Sequence, residues 1–484
     1  MPELEQRLST ALANPNLHIA LERGHAQWIV AYHRVIEALP FVEGARDRAR
    51  QIRVETLRRL DHYLEQLENS VTEAGGHVHW AQDAAEACAI VVELAQARGV
   101  KLIAKSKSML TEEIELNHAL EAAGLEAVET DLGEYIVQLA GQRPSHITAP
   151  AIHMRKEDIS AVFEKRLGME PSDDPQHMTA LARTRLRQVF LTAGMGISGV
   201  NFAVAETGTL ALVTNEGNGR MVTTVPPIHV ALMGLERIVP TLPDLEVMLR
   251  VLARSSTGQK LTSYTTLVTG ARRRSPEHSD GDAASPVGEP DGPGELHLVI
   301  VDNGRSRMLA GDLAETLLCI RCGACQNVCP VYNEIGGHAY GSVIAGPIGA
   351  ILTPAMYGTK EWGELAGLSS LCGACQQVCP VRIDIPTMLL TIRGHHIAAT
   401  GGPAWMRWGL KGWAIAMKSV GRYRWGQRLA HWGTRLISRN GQVHRLPGPL
   451  AAWTKSRDFP MFAQTPFRER WAQRKANSER KTNH

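Results

Sequence analysis

Cys319-Ile-Arg-Cys322-Gly-Ala-Cys325-Gln-Asn-Val-Cys329-Pro330, followed after about 42 residues by Cys372-Gly-Ala-Cys375-Gln-Gln-Val-Cys379-Pro380, holds seven of the chain's eight cysteines. Two intervening residues let successive thiolates converge on one cuboidal cluster, and the proline after the last cysteine turns the chain away; the fourth cysteine of such a run serves the other cluster in two-cluster ferredoxins. The pattern predicts two iron–sulfur clusters, expected as 4Fe-4S. The first takes Cys319, Cys322, Cys325 and Cys379. The second takes Cys329, Cys372 and Cys375, and there the count stops at three. A complete second run would carry a cysteine where Ser369 stands, next to Ser370. Three readings stay open for that corner: Ser369 or an outside side chain ligates, the cluster is 3Fe-4S, or water, hydroxide or substrate sits on an open iron. An open iron is a Lewis acid as well as an electron site.

Disulfides and zinc are the alternatives. A disulfide framework calls for export, and Met1-Pro-Glu-Leu-Glu-Gln-Arg7 leads into charged sequence with no apolar core or cleavage site. Three successive Cys steps ending in Cys-Pro, almost wholly repeated, are not the habit of zinc sites. The eighth cysteine, Cys88, lies in Ala-rich sequence that reads as a helix with a buried thiol.

At 484 residues the chain exceeds a ferredoxin and predicts two or three domains with a full core. The net charge of +3 hides an asymmetry, for residues 401–484 carry 17 Lys and Arg against three acids. That tail is +14 and the first 400 residues are −11. No stretch approaches ~18 consecutive apolar residues, so no membrane span is predicted, and a cytoplasmic location is expected.

Outward from the cysteines the pattern changes three times. Residues 40–70 read as one amphipathic helix, with Ile52, Val54, Leu57, Leu60, Leu64 and Leu67 near helical spacing. His77–Trp80, Lys101–Ala104 and Leu125–Val128 are short strand candidates separated by helical runs 82–98 and 111–123, an alternation that predicts a parallel α/β sheet. Asn201–Glu206, Gly208–Thr214 and Met221–Val225 read as added antiparallel strands, and Leu261–Val268 and Leu296–Asp302 as extensions of the sheet. Ala271–Gly294, rich in Pro, Gly, Ser and Asp, reads as a solvated loop. The long, Gly- and Ala-rich spacer between the cysteine runs predicts an α-helical ferredoxin-type module. Trp405, Trp408, Trp413, Trp425 and Trp432 sit beyond it in basic helical sequence.

Several stretches together resemble the LutB family of lactate-utilisation iron–sulfur proteins. They are Lys105-Ser-Lys-Ser-Met109 with Glu112–Asn117, Glu129-Thr-Asp-Leu-Gly-Glu134, Asn201–Thr209, Asn215-Glu-Gly-Asn218, Asp302-Asn-Gly-Arg305, both cysteine runs and the tail Phe467-Arg-Glu-Arg-Trp471. The likeness runs from about residue 40 to about 475. It implies an LUD domain of the α/β sugar-isomerase and CoA-transferase-like type, joined to an α-helical ferredoxin-type 4Fe-4S module. With a basic helical C-terminal region, the expected divisions are 1–70, 71–304, 305–390 and 391–484. It also implies electron transfer in the oxidation of L-lactate to pyruvate, beside a cysteine-rich subunit and a small LUD subunit.

Within the LUD portion, Ala205–Thr209 and Asn215–Arg220 place carboxylates, amides and an arginine on loops at strand ends, where α/β sheets bind ligands. Arg220 is suited to pair with a carboxylate, and Glu206 and His229 are further catalytic candidates. Turn chemistry, a capping role and simple packing explain the same residues. Lys105 and Lys107, with Ser106 and Ser108, precede a helix and read as an anion holder or as a cap with Thr111. Gly194-Met-Gly196-Ile-Ser-Gly199 has the dinucleotide form but follows a helical run and precedes a strand, the wrong context for that motif. The Trp-bearing tail has three readings: partner docking, peripheral attachment to an anionic membrane, or a solvated or nucleic-acid-binding segment. A cluster-based sensor is the rival function. No DNA-reading module is visible, so no nucleic-acid partner is expected. Another 2-hydroxy acid remains open as substrate.

Overall fold

The computed structural model describes residues 3–271, 292–402 and 404–482; most of the Pro- and Gly-rich loop expected over 271–294 lies outside the described residues. Among the described residues, ten strands precede the two cysteine runs: β1 His77–Ala81, β2 Leu102–Lys105, β3 Glu126–Glu129, β4 Met195–Gly199, β5 Phe202–Val204, β6 Thr209–Thr214, β7 Ile228–Gly234, β8 Ile238–Val239, β9 Tyr264–Val268 and β10 Glu295–Val301. Six of them form a sheet of order β1-β10-β7-β4-β2-β3 in which every pairing is parallel. A parallel sheet is covered on both faces, so its central strands run apolar throughout. In β10, Leu296, Leu298 and Ile300 enter one core while Val299 and Val301 enter another. The first of these cores holds Leu67 and Val71 of the helix Leu60–Glu73, and the second holds Ala87, Val91 and Ala95 of the helix Ala84–Ala97. Cys88 is buried on that latter helix, with its Sγ 3.3 Å from the Ile114 carbonyl. A second sheet, β8-β5-β6-β9, carries the β5–β6 hairpin and is extended by β9.

Three local readings are corrected. The run 40–70 forms two helices, Val42–Arg58 and Leu60–Glu73, with Arg59 out of helical geometry between them. Thr56 donates its hydroxyl back to the Ile52 carbonyl at 2.7 Å, an arrangement that bends helices. Likewise 111–123 divides at Glu115, whose φ is 54°, into Met109–Glu113 and Leu116–Ala122. Met221–Val225, despite its β-branched residues, lies in the helix Asn218–Thr224 and its C-cap. Burial of Val222 against the main sheet overrides propensity there.

Gly194–Gly199 is not a phosphate loop but the approach to β4 and β4 itself. A Cβ on Gly196 would stand 2.0 Å from the Val222 carbonyl oxygen, and one on Gly199 would stand 2.7 Å from Ser108 Oγ. The glycines let the sheet touch its covering layer. Gly196→Ala is expected to lower unfolding free energy by about 1–3 kcal/mol through overpacking, read by thermal denaturation.

From Arg305 to Thr400 the elements are all helical, among them Ala324–Asn327, Pro330–Ile335, Gly346–Tyr357, Ala374–Val378 and Ile385–Thr400. Residues 1–399 form one compact unit and 400–484 a second. The second contains helices Ala404–Met417, Val420–Ile437 and Phe467–Thr482 and a ribbon of β11 Gln442–Val443 and β12 Phe459–Pro460. Its tryptophans Trp405, Trp408, Trp413, Trp425 and Trp432 are all exposed. No helix among the described residues is long and apolar enough to cross a membrane.

Candidate metal centre and the adjoining cavity

Each cysteine run folds into the same turn. A non-glycine residue in the left-handed region precedes the Cys-Gly step, Arg321 at φ 58° and Leu371 at φ 55°, and the glycine after it, Gly323 or Gly373, is left-handed too. A short helix then presents the next thiol, Cys325 on Ala324–Asn327 and Cys375 on Ala374–Val378. The likeness extends to the corner that lacks sulfur. Arg321 donates its backbone N–H to Cys319 Sγ at 3.4 Å, and Leu371 donates its N–H to Ser369 Oγ at 3.1 Å. Ser369 thus occupies in the second turn the position that Cys319 occupies in the first.

Cys319, Cys322, Cys325 and Cys379 line one small apolar cavity with Ile147, Ile348, Val381, Ile383 and Ile385. Among the described residues, no three Cys, His, Asp or Glu side chains gather as holding a single ion requires. Thiols spread around an apolar cavity suit a cluster, whose ligands face one another across several atoms rather than meeting at a point. Backbone N–H groups point at the sulfurs, Tyr332 N at Cys329 Sγ and Ile383 N at Cys379 Sγ, both at 3.4 Å. Such bonds set a cluster's potential. Burial pushes the Cys375 thiol up to about 12 and Cys379 up to about 11; metal coordination reverses this by taking the thiolate outright. Cys329, Cys372 and Cys375 do not line that cavity, and Cys372 alone of the seven is exposed.

One helix holds these loops to the sheet. Along Val42–Arg58, arginines at 46, 50 and 53 share a face. Arg46 donates to the Cys379 carbonyl at 2.8 Å, Arg50 to the Arg382 carbonyl at 2.7 Å, and buried Arg53 to the carbonyls of Ile238 at 3.0 Å and Leu317 at 2.7 Å. The segment 145–148 does the same from the other side. Ser145 O accepts from Tyr332 Oη at 2.7 Å, and the Ile147 N–H donates to Gln326 Oε1 at 3.2 Å. His146 Nδ1 accepts the N–H groups of Thr148 and Ala149 at 3.1 and 3.2 Å. Burial, and after it the charge of Lys107, lowers the His146 ring to about 3, so it stays neutral.

A larger cavity of about 390 Å³ opens at the C-terminal ends of the parallel strands. Lys107 and Ser108 follow β2, Asp131 follows β3, Gly199–Asn201 end β4, Gly234–Arg237 end β7, and Arg305 follows β10. Glu216 and Asn218 come from the loop after β6, and Arg321 comes from the first cysteine turn. Arg305 is satisfied internally: it grips both carboxylate oxygens of Glu113 at 2.9 Å and Glu236 Oε2 at 2.8 Å. Burial alone would raise the Glu236 carboxyl, yet Arg305 and Arg237 hold it at about 2.

The family models for the LUD domain, the 4Fe-4S dicluster domain and the C-terminal part of lactate utilisation protein B match residues 64–301, 315–383 and 392–476 in that order. The chain is 46% identical over 441 residues to lactate utilization protein B of Geobacillus kaustophilus, covering 91% of this chain and 90% of that protein. It is 42% identical over 479 residues to that of Bacillus subtilis, covering 99% and 97%.

The chain belongs to the lactate utilization protein B family.

A crystal structure of a duf162 family protein from Deinococcus radiodurans aligns with 50% of this chain and 98% of its own at 15% identity and a TM-score of 0.26. Both cysteine runs of this family member fall inside the dicluster match, so the group they bind is iron–sulfur.

The LUD candidates divide. In this chain, Glu206 Oε1 accepts the N–H of Leu242 at 2.7 Å, at the start of the helix Leu242–Thr257. His229 is wholly buried in β7, its Nε2 2.8 Å from Ser198 Oγ, and burial lowers it to about 4. Arg220 lies over the Tyr264 ring in a shallow hollow beside β9. None of the three lines the large cavity. Of the lysines, Lys105 is buried between Glu129 and Glu112, whereas Lys107 reaches the cavity and Ser108 both lines it and caps Thr111 N at 3.3 Å. Asn215, Glu216 and Asn218 reach it as well. Sequence reasoning missed Glu236, Arg237, Arg305 and Arg321. Arg321 carried a signal in hindsight, being a charge between cysteines where the second run has Leu371.

Proposed function

We propose that this chain is the iron–sulfur electron-transfer subunit of a complex that oxidises L-lactate to pyruvate. The observation that carries the reading is that thiols from both runs, Cys319, Cys322, Cys325 and Cys379, line one apolar cavity. Family membership at 46% identity over nine-tenths of the chain supports the substrate assignment. Lactate oxidation releases two electrons and two protons, and two bound clusters supply a pair of one-electron carriers. Cys329, Cys372 and Cys375 hold the second cluster. The exposure of Cys372 makes that end the face through which electrons pass to or from a partner. We assign the division 1–70, 71–304, 305–390 and 391–484 to a helical spine, an LUD domain of the sugar-isomerase and CoA-transferase-like type, the ferredoxin-type module and a docking tail. The partners are a cysteine-rich subunit and a small LUD subunit, and the exposed Trp and Arg residues of the tail suit contact with them. The setting is cytoplasmic.

The test is electron paramagnetic resonance with iron and sulfide analysis on anaerobically purified protein, before and after L-lactate and the partner subunits. About eight irons per chain, reduced by lactate only when partners are present, supports the relay. Signals indifferent to lactate in every combination would sink it.

For the open corner we assign Ser369 Oγ as the fourth ligand of the second cluster, supported by its hydrogen bond matching that of Cys319. Ser369→Ala is then expected to convert that cluster to a three-iron species, seen as a new signal in the oxidised protein, with about one iron lost per chain. Ser369→Cys is expected to retain four irons and shift the potential. An alanine variant with iron content and signals unchanged removes the serine from the ligand set.

A further inference from the structure

The relay just described needs no small molecule on this chain, yet the cavity at the strand ends is built as a binding site. Its position is one reason. Strand order runs outward from β2 to β3 and then reverses through β4, β7 and β10, so β2 and β4 flank the point where the winding changes direction. Open α/β sheets bind ligands outside the carboxyl ends of their strands at such a point. Lys107 and Ser108 leave β2 there, and Gly199 ends β4 there.

The second reason is unspent polar capacity. Asn218 is 6% exposed and its Oδ1 has no hydrogen-bond partner, although its Nδ2 lies 3.5 Å from Thr130 Oγ1. Arg321 Nη1 and Lys107 Nζ are buried and likewise lack hydrogen-bond partners. Glu134, whose carboxyl burial raises, is 3.9 Å from Lys107, beyond hydrogen-bond reach. Buried polar atoms left unpaired in a native fold call for a partner, and here two are cationic and one is an acceptor.

We infer that this cavity binds a small carboxylate bearing a neighbouring hydroxyl, with Lys107 and Arg321 on the carboxylate and Asn218 Oδ1 accepting from the hydroxyl. The carboxylates of Asp131 and Glu216 in the same wall oppose a dianion such as phosphate. The site also reaches the first cysteine turn. Arg321 sends its N–H to Cys319 Sγ while its side chain lines the cavity, and Ile147 lines both this cavity and the one formed by the four thiols. A ligand here is therefore one side chain away from the first cluster.

The experiment is calorimetric titration of the cluster-loaded protein, without partner subunits, using L-lactate, acetate and inorganic phosphate in turn. L-lactate is chosen on the strength of the proposed function; a failed relay would leave this binding intact and remove only the partner-dependent reduction. L-lactate is expected to bind saturably, and acetate at least about tenfold more weakly for want of the hydroxyl. Lys107→Met, remote in sequence from the cysteines, is expected to lower lactate affinity about tenfold or more with iron content unchanged. Arg321→Leu is expected to do the same, since Leu371 occupies the equivalent left-handed position in the second run. The inference fails if the parent shows no lactate binding up to about 10 mM, if phosphate or acetate binds as tightly as lactate, or if Lys107→Met binds lactate as the parent does.

Discussion

Replacing Cys379 with alanine is expected to empty the first cluster site rather than the second, although Cys379 sits in the second run. The reason is the crossing of the chain: Cys379 lines a cavity with Cys319, Cys322 and Cys325, and Cys329 of the first run does not line it. Iron should fall from about eight to about four per chain, and the surviving signal should match the one left by Cys322→Ala. Cys329→Ala should leave the complementary signal. The outcome that refutes the crossed assignment is a Cys379→Ala protein whose spectrum matches Cys329→Ala. Spectroscopy on the three variants decides it, because each run read alone predicts the opposite pairing.

The second large effect falls on stability. Arg305 is 3% exposed and holds Glu113 through two bonds of 2.9 Å and Glu236 through one of 2.8 Å. It joins the end of β10 to the helix Met109–Glu113 and to the turn after β7. Arg305→Met leaves the buried Glu113 without its ion pair and Glu236 with Arg237 alone. Removing one partner from a buried ion network costs about 3–5 kcal/mol, so denaturant unfolding should show a loss of that order. Arg305→Lys keeps the charge but not the two-pronged grip and should lose less. If the methionine variant unfolds with the parent, the network contributes nothing to folding.

The cysteine turns were legible in the spacing, because each Cys-x-x-Cys step is local to its run. The sequence carried the first three strands as well, through a period-two pattern broken by helices. What it did not carry was adjacency. β1 pairs with β10, joining His77 to His297, and nothing in either strand marks the other as its neighbour. The helix at Met221–Val225 was hidden for a related reason: its β-branched residues favour a strand locally, and only the glycine-bared surface of β4 makes a helix pack better. Glu206, Arg220 and His229 stood out as chemistry on loops and strand ends. Lys107, Asn218 and Arg321, which line one cavity, come from three separate segments. Convergence across separated segments has no sequence period to find.

The row of arginines on the helix Val42–Arg58 has a consequence for the order of folding. Arg46 bonds to the carbonyl of Cys379, a contact spanning 333 residues of chain. Such closures are slow, because ordering entropy must be lost before the contact repays it. During synthesis this helix is made long before its partners, and Arg53 stays in water until Ile238 and Leu317 follow. On the proposed ligand set, cluster loading would join residue 319 to residue 379 at the same place, so iron-starved protein is expected to be cut in this helix more readily in limited proteolysis.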